Sequence, residues 1–64
     1  KMFDDFLDGL DKTNRVMFVR RYWFSDSISD IAARFNLSNH AVTVRLSRTR
    51  EKLRQYLIEK GVTI

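Results

Sequence analysis

The sequence predicts an all-α fold of four helices, and three observations carry that prediction. There is no proline and there are only two glycines, against 44% hydrophobic residues, which suits a compact helical unit. Apolar residues recur at helical spacing, as at Ile28, Ile31, Ala32 and Phe35, the i, i+3, i+4, i+7 signature of one buried helix face. Polar breaks at Ser25-Asp26-Ser27 and Asn36-Leu37-Ser38 divide the chain without any long linker, repeat or low-complexity tract.

Taken in order, Met2 to Leu7 reads as a short amphipathic helix with acids in its opening turn, where the helix dipole favours them, and Gly9 ends it. Asp11 or Thr13 can cap a second helix that runs to Trp23 or Phe24, with Val16, Met17, Val19, Tyr22 and Trp23 as inward candidates. Ser27, followed three residues later by Asp30, approximates a capping box and starts the third helix. Asn36 tolerates positive φ and is its natural left-handed stop, while Leu37 plugs the inside of the turn. Ser38 caps the fourth helix, which can run to Glu59 before Gly61 stops it.

Sixty-four residues suffice for one small domain with one modest core, so residues 1–64 read as a single unit. With no cysteine, neither a disulfide framework nor a thiolate metal site is available. No apolar run can span a bilayer and no signal-peptide pattern opens the chain, so a cytoplasmic location and no membrane partner are expected. The start on Lys1 suggests a piece of a longer protein.

Charge is unevenly placed. Residues 1–30 hold five Lys/Arg against six Asp, whereas residues 31–64 hold seven against two Glu. Such segregation fits a surface that faces phosphate, the alternative being basic residues that only solvate a long helix. The third and fourth helices, joined by the tight break at Asn36-Leu37-Ser38, have across residues 27–58 the grammar of a helix-turn-helix whose second helix enters a DNA groove.

At about 100° per residue, Val42, Leu46, Thr49, Leu53, Tyr56 and Leu57 form one stripe of the fourth helix. Opposite them lie His40, Thr43, Val44, Ser47 and Arg48, the candidates for base contact in a major groove. Arg48 is the best candidate for bidentate guanine reading, and Val44 for a thymine methyl. Arg45 and Arg50 flank the core stripe and Arg34 ends the third helix. With Ser38 and Asn39 at the helix entry they form the expected phosphate-contacting set. Glu51 sets a limit to this zone, because a carboxylate near phosphates is unfavourable.

His40 is the sole histidine and has no ligand partners at metal spacing, so no metal and no cofactor are expected. Eight aromatics are many for so small a core, and of Phe3, Trp23 and Phe24 one or more should form an apolar patch facing a partner. A stacking platform for single strands is disfavoured, because the aromatics lie mainly in the half without excess positive charge. No nucleophile–base pairing or glycine-rich phosphate loop appears, so an enzyme is not expected.

The run from Arg15 to Leu57, about two thirds of the chain, resembles region 4 of sigma-70-type factors, most closely the extracytoplasmic-function group. The residues that carry this are Arg15 and Arg21-Tyr22-Trp23, then Ser27-Ile28-x-Asp30-Ile31-Ala32, then Leu37-Ser38. The last block is Val42-x-x-Arg45-Leu46-x-Arg48-x-Arg50-x-Lys52-Leu53. The tail from Tyr56 to Val62 is similar to the end of such factors. The resemblance implies a winged-helix-like DNA-binding fold that reads the −35 promoter element with its last helix. It implies docking on the β flap of RNA polymerase, and masking by an anti-sigma protein. By position, Thr43, Val44, Ser47 and Arg48 would face bases, and Arg45 and Arg50 would serve phosphates or the fold.

Three departures from the family pattern stand out. Its usual Thr-Val-Lys-Ser is Ala41-Val42-Thr43-Val44 here, its glycine between the second and third helices is Ser25, and Arg20 sits where an apolar residue is common. Two alternatives remain at this point. One is a LuxR-like output domain, which shares the four-helix plan but usually dimerises, whereas a monomer is expected here. The other is a protein-interaction module that uses the aromatic face.

Overall fold

A computed structural model describes the backbone of residues 2–61 and the side chains of residues 4–61. Its four helices are α1 (Met2–Asp8), α2 (Lys12–Tyr22), α3 (Ile28–Phe35) and α4 (Asn39–Glu59), with no strand among the described residues. None of these helices is long and apolar enough to cross a membrane.

Each of the last three helices begins on a side chain that accepts a backbone N–H. Asp11 accepts from Asn14 at 3.3 Å, Ser27 from Asp30 at 3.0 Å and Ser38 from Ala41 at 3.0 Å, each satisfying a donor that the helix itself leaves orphaned. Asp11, not Thr13, is therefore the cap of α2. α1 closes on 3₁₀-type bonds from Gly9 N to Phe6 O and Leu10 N to Leu7 O, both 3.1 Å. Of the two glycines only Gly61, after α4, has positive φ, at 82°.

α2, α3 and α4 pack round a core of Met17, Phe18, Ile31, Ala32, Val42 and Leu46, with Ile28, Phe35, Leu37 and Leu53 against its edge. Thr49 is buried in the same stripe of α4, and its hydroxyl donates to Arg45 O at 3.0 Å, so no polar atom is stranded there. α1 joins through Phe6, whose ring meets Phe18 edge-on at 6.4 Å and Tyr56 at 5.5 Å.

The inward face of α2 corrects the sequence expectation at Tyr22 and Trp23. It follows Asn14, Met17, Phe18 and Arg21, at i, i+3, i+4 and i+7, with Met17 and Phe18 buried. Trp23 is 77% exposed just past the helix, and Tyr22 is 45% exposed although its ring lies 4.7 Å from that of Phe18. Met17 is thus buried as expected and Val16 and Val19 are half-buried, while Phe18 takes the inward place expected of Tyr22 and Trp23.

Candidate nucleic-acid interface

The α3–α4 unit is fixed by local chemistry. Asn36 takes left-handed angles (φ 56°, ψ 48°) and Leu37 N bonds back to Ala32 O at 2.9 Å, the long bond of a Schellman-type stop. Leu37 then turns against the core, and Ser38 opens α4 at once. A further tie crosses the turn: Asn39 Nδ2 donates to Ser29 Oγ at 3.2 Å, pinning the first turn of α4 to that of α3. α4 is thereby held at both its buried stripe and its entry.

Its outward side carries the expected base-contacting residues. His40, Thr43, Ser47 and Arg48 are exposed, and Val44 is half-buried. By helical angle, His40, Thr43, Ser47 and Arg50 share one flank of α4, while Val44, Arg45 and Arg48 share the other. Thr43 Oγ1 donates to Asn39 O at 2.9 Å, and Ser47 Oγ accepts from Arg50 Nη2 at 3.2 Å. Of the phosphate candidates, Arg34, Ser38, Asn39 and Arg50 are exposed and Arg45 is half-buried. Ser38 Oγ and the Asn39 amide are engaged in the cap and in the tie to α3.

The arginines divide sharply by partner. Arg15 pairs with Asp8 at 4.0 Å, Arg20 with Asp26 at 2.8 Å and Arg54 with Glu51 at 3.5 Å. Among the described residues Arg34, Arg45, Arg48 and Arg50 have no carboxylate within 4.0 Å, and the sequence between Asp30 and Glu51 contains no acid at all. Glu51, which also accepts from Gln55 at 3.2 Å, closes the zone on its C-terminal side. From Arg34 to Arg50 the helix-turn-helix therefore presents positive charge that no carboxylate of the described residues neutralises.

Residues 1–53 match the family model described as Sigma-70, region 4. The chain belongs to the sigma-70 region 4 family. No curated protein and no solved structure matches it. The matched segment includes α1, upstream of the residues that carry the resemblance, and stops at Leu53, short of the tail from Tyr56. Region 4 is a promoter-binding part of sigma factors that also contacts RNA polymerase. It is a DNA-binding family, not an enzymatic one, and membership favours it over the LuxR-like alternative.

A second surface lies away from the helix-turn-helix. A groove of about 410 Å³ between α1 and the end of α2 is lined by Asp4, Leu7, Phe18, Val19, Tyr22, Trp23 and Phe24. Trp23 and Phe24, expected to face a partner, are 77% and 56% exposed here. Phe3, named with them, has its side chain outside the described residues.

Arg21 and Ser29 stand outside the expected contact set. Arg21, half-buried, lines a cleft together with Thr43 and Arg50. Its spacing of four from Met17 was the available signal, since that places it on the α2 face turned toward α4.

Proposed function

We propose that this region 4 domain reads the −35 element of a promoter through the first turns of α4. His40, Thr43, Val44, Ser47 and Arg48 meet base edges in the major groove, and Arg34, Ser38, Asn39, Arg45 and Arg50 meet backbone phosphates. The domain acts as a single monomeric unit of an extracytoplasmic-function-type sigma factor in the cytoplasm, and it docks on the polymerase β flap through the groove beside Trp23 and Phe24. An anti-sigma protein is its expected antagonist. The observation that supports this reading most is the division of the arginines. Arg15 and Arg20 in α2 and Arg54 late in α4 are paired with carboxylates, whereas Arg34, Arg45, Arg48 and Arg50, around the first turns of α4, are left for an external anion. One domain makes few contacts, so occupancy of a promoter leans on tethering by polymerase, which raises the effective concentration.

Selection from a random duplex library, followed by an amide NMR titration with the selected duplex and a scrambled one, tests the reading. Shifts concentrated at residues 38–50 that differ between the two duplexes are expected. Absent shifts, or identical ones, overturn it. Arg48→Gln should relax discrimination between duplexes, whereas Arg50→Gln should weaken both alike.

A further inference from the structure

We infer that Asp26 positions Arg21 as a phosphate clamp on the flank of α4, a role that rests on the DNA-reading proposal above. The cleft in question has Tyr22, Ile28 and Leu46 as its apolar lining and Arg21, Thr43 and Arg50 as its polar one. It brings guanidinium-bearing side chains from two helices to one place. Among the described residues neither arginine has a carboxylate within 4.0 Å. Like charges gathered without a counter-ion repel, and a bound anion relieves that repulsion. Thr43 has already given its proton to Asn39 O, so the donors available to an anion here are the two guanidiniums.

How Arg21 is held matters more than its presence. Its Nη1 donates to the backbone carbonyl of Asp26 at 2.9 Å. The Asp26 carboxylate, which could have neutralised it, is taken by Arg20 Nε at 2.8 Å, and the Arg20 guanidinium lies 4.7 Å from the Phe24 ring centroid. Asp26 N closes the loop by donating to Arg20 O at 3.0 Å. Arg20 therefore absorbs the acid, and Arg21 is oriented by a neutral oxygen while keeping its full charge. Arg50 is held the same way, by the Ser47 hydroxyl. A guanidinium fixed by a neutral acceptor loses little side-chain freedom when a phosphate arrives, and its remaining N–H groups stay free for charge-assisted bonds. Arg20, unusual at its position, thus serves DNA binding without touching DNA.

The test measures affinity for a short mixed-sequence DNA duplex by fluorescence anisotropy across a salt series. Each phosphate neutralised contributes about 0.9 to the slope of log K against log salt. Arg21→Gln should lower the slope by about that amount and Arg21→Lys should keep it, because the charge remains. Asp26→Asn raises the net charge by one, so general electrostatics would tighten binding. Positioning predicts the reverse, a several-fold loss at fixed salt. The inference is overturned if Arg21→Gln keeps the parent slope while Arg50→Gln lowers it, or if Asp26→Asn binds as tightly as the parent or more so. A parent chain that does not bind the duplex overturns this inference and the DNA-reading proposal together. If Asp26→Asn loses the folded NMR spectrum, the Arg21 pair alone decides.

Discussion

Both connections that flank α3 pass through a non-glycine residue in the left-handed region, Ser25 at φ 60° and Asn36 at φ 56°, yet different side chains secure them. The α3–α4 turn is closed by backbone bonds to Ala32 and Ala33, the Ser38 cap and the insertion of Leu37 into the core edge. The α2–α3 connection also has backbone bonds, from Phe24 N to Val19 O and Asp26 N to Arg20 O, but it adds long side chains, with Arg20 and Arg21 both converging on Asp26 and Phe24 lying exposed beside them. The first device fixes the angle between the two helices of the helix-turn-helix. The second leaves an aromatic surface open and an arginine charged, which suits a region that meets partners.

The largest effect that separates the two turns should come from their apolar residues. Leu37→Ala should cost about 2 kcal/mol, the low end for a truncated core leucine because Leu37 is only partly buried. Phe24→Ala should cost less than about 1 kcal/mol, since the ring is mostly exposed and its cation–π contact with Arg20 is the main interaction lost. Urea unfolding followed by circular dichroism measures both. Equal losses would mean that the α2–α3 connection is also held by packing, and the contrast would collapse.

Next in size are the polar closures. Ser38→Ala should lower stability by about 1 kcal/mol through loss of the cap, with no dependence on salt. For the other turn, a double-mutant cycle on Arg20→Met and Asp26→Asn should return a coupling of about 1 kcal/mol that shrinks as salt is raised. A coupling near zero would assign the loop's shape to its backbone alone.

This contrast also explains how much was legible in the sequence. Ser27, Asn36 and Ser38 act on atoms within a few residues of themselves, so the ends of α3 and α4 followed from residue type. The outward face of α4 followed from helical angle, because one long helix with a strong apolar stripe has only one way to lie. The face of α2 followed only in part: Met17 is buried as expected, but half-buried Asn14 and Arg21 interrupt the apolar pattern, and Phe18 is buried where Tyr22 and Trp23 were expected. The arginine pairing did not follow. Arg20 and Arg21 are adjacent and chemically identical, and only the path of the loop decides which takes the Asp26 carboxylate and which takes its carbonyl. That choice separates an arginine neutralised by a carboxylate from one that keeps its full charge.

The smallest expected effect is the most discriminating, because its sign differs from the usual. Ser25 holds φ 60° with a side chain for which no hydrogen bond is seen among the described residues. An L-residue in that region carries about 1 kcal/mol of strain, while glycine carries none but adds freedom to the unfolded chain. Ser25→Gly should therefore stabilise the domain by about 0.5 kcal/mol net. Asn36→Gly should change stability by less than that, because asparagine already tolerates the conformation at little cost. Thermal melts of the two variants beside the parent measure the difference. A destabilised Ser25→Gly would show that the hydroxyl, and not the backbone angle, is what the α2–α3 connection needs from this position. In that case the loop's strain is too small to matter, and the Arg20–Asp26 pair has less to hold in place.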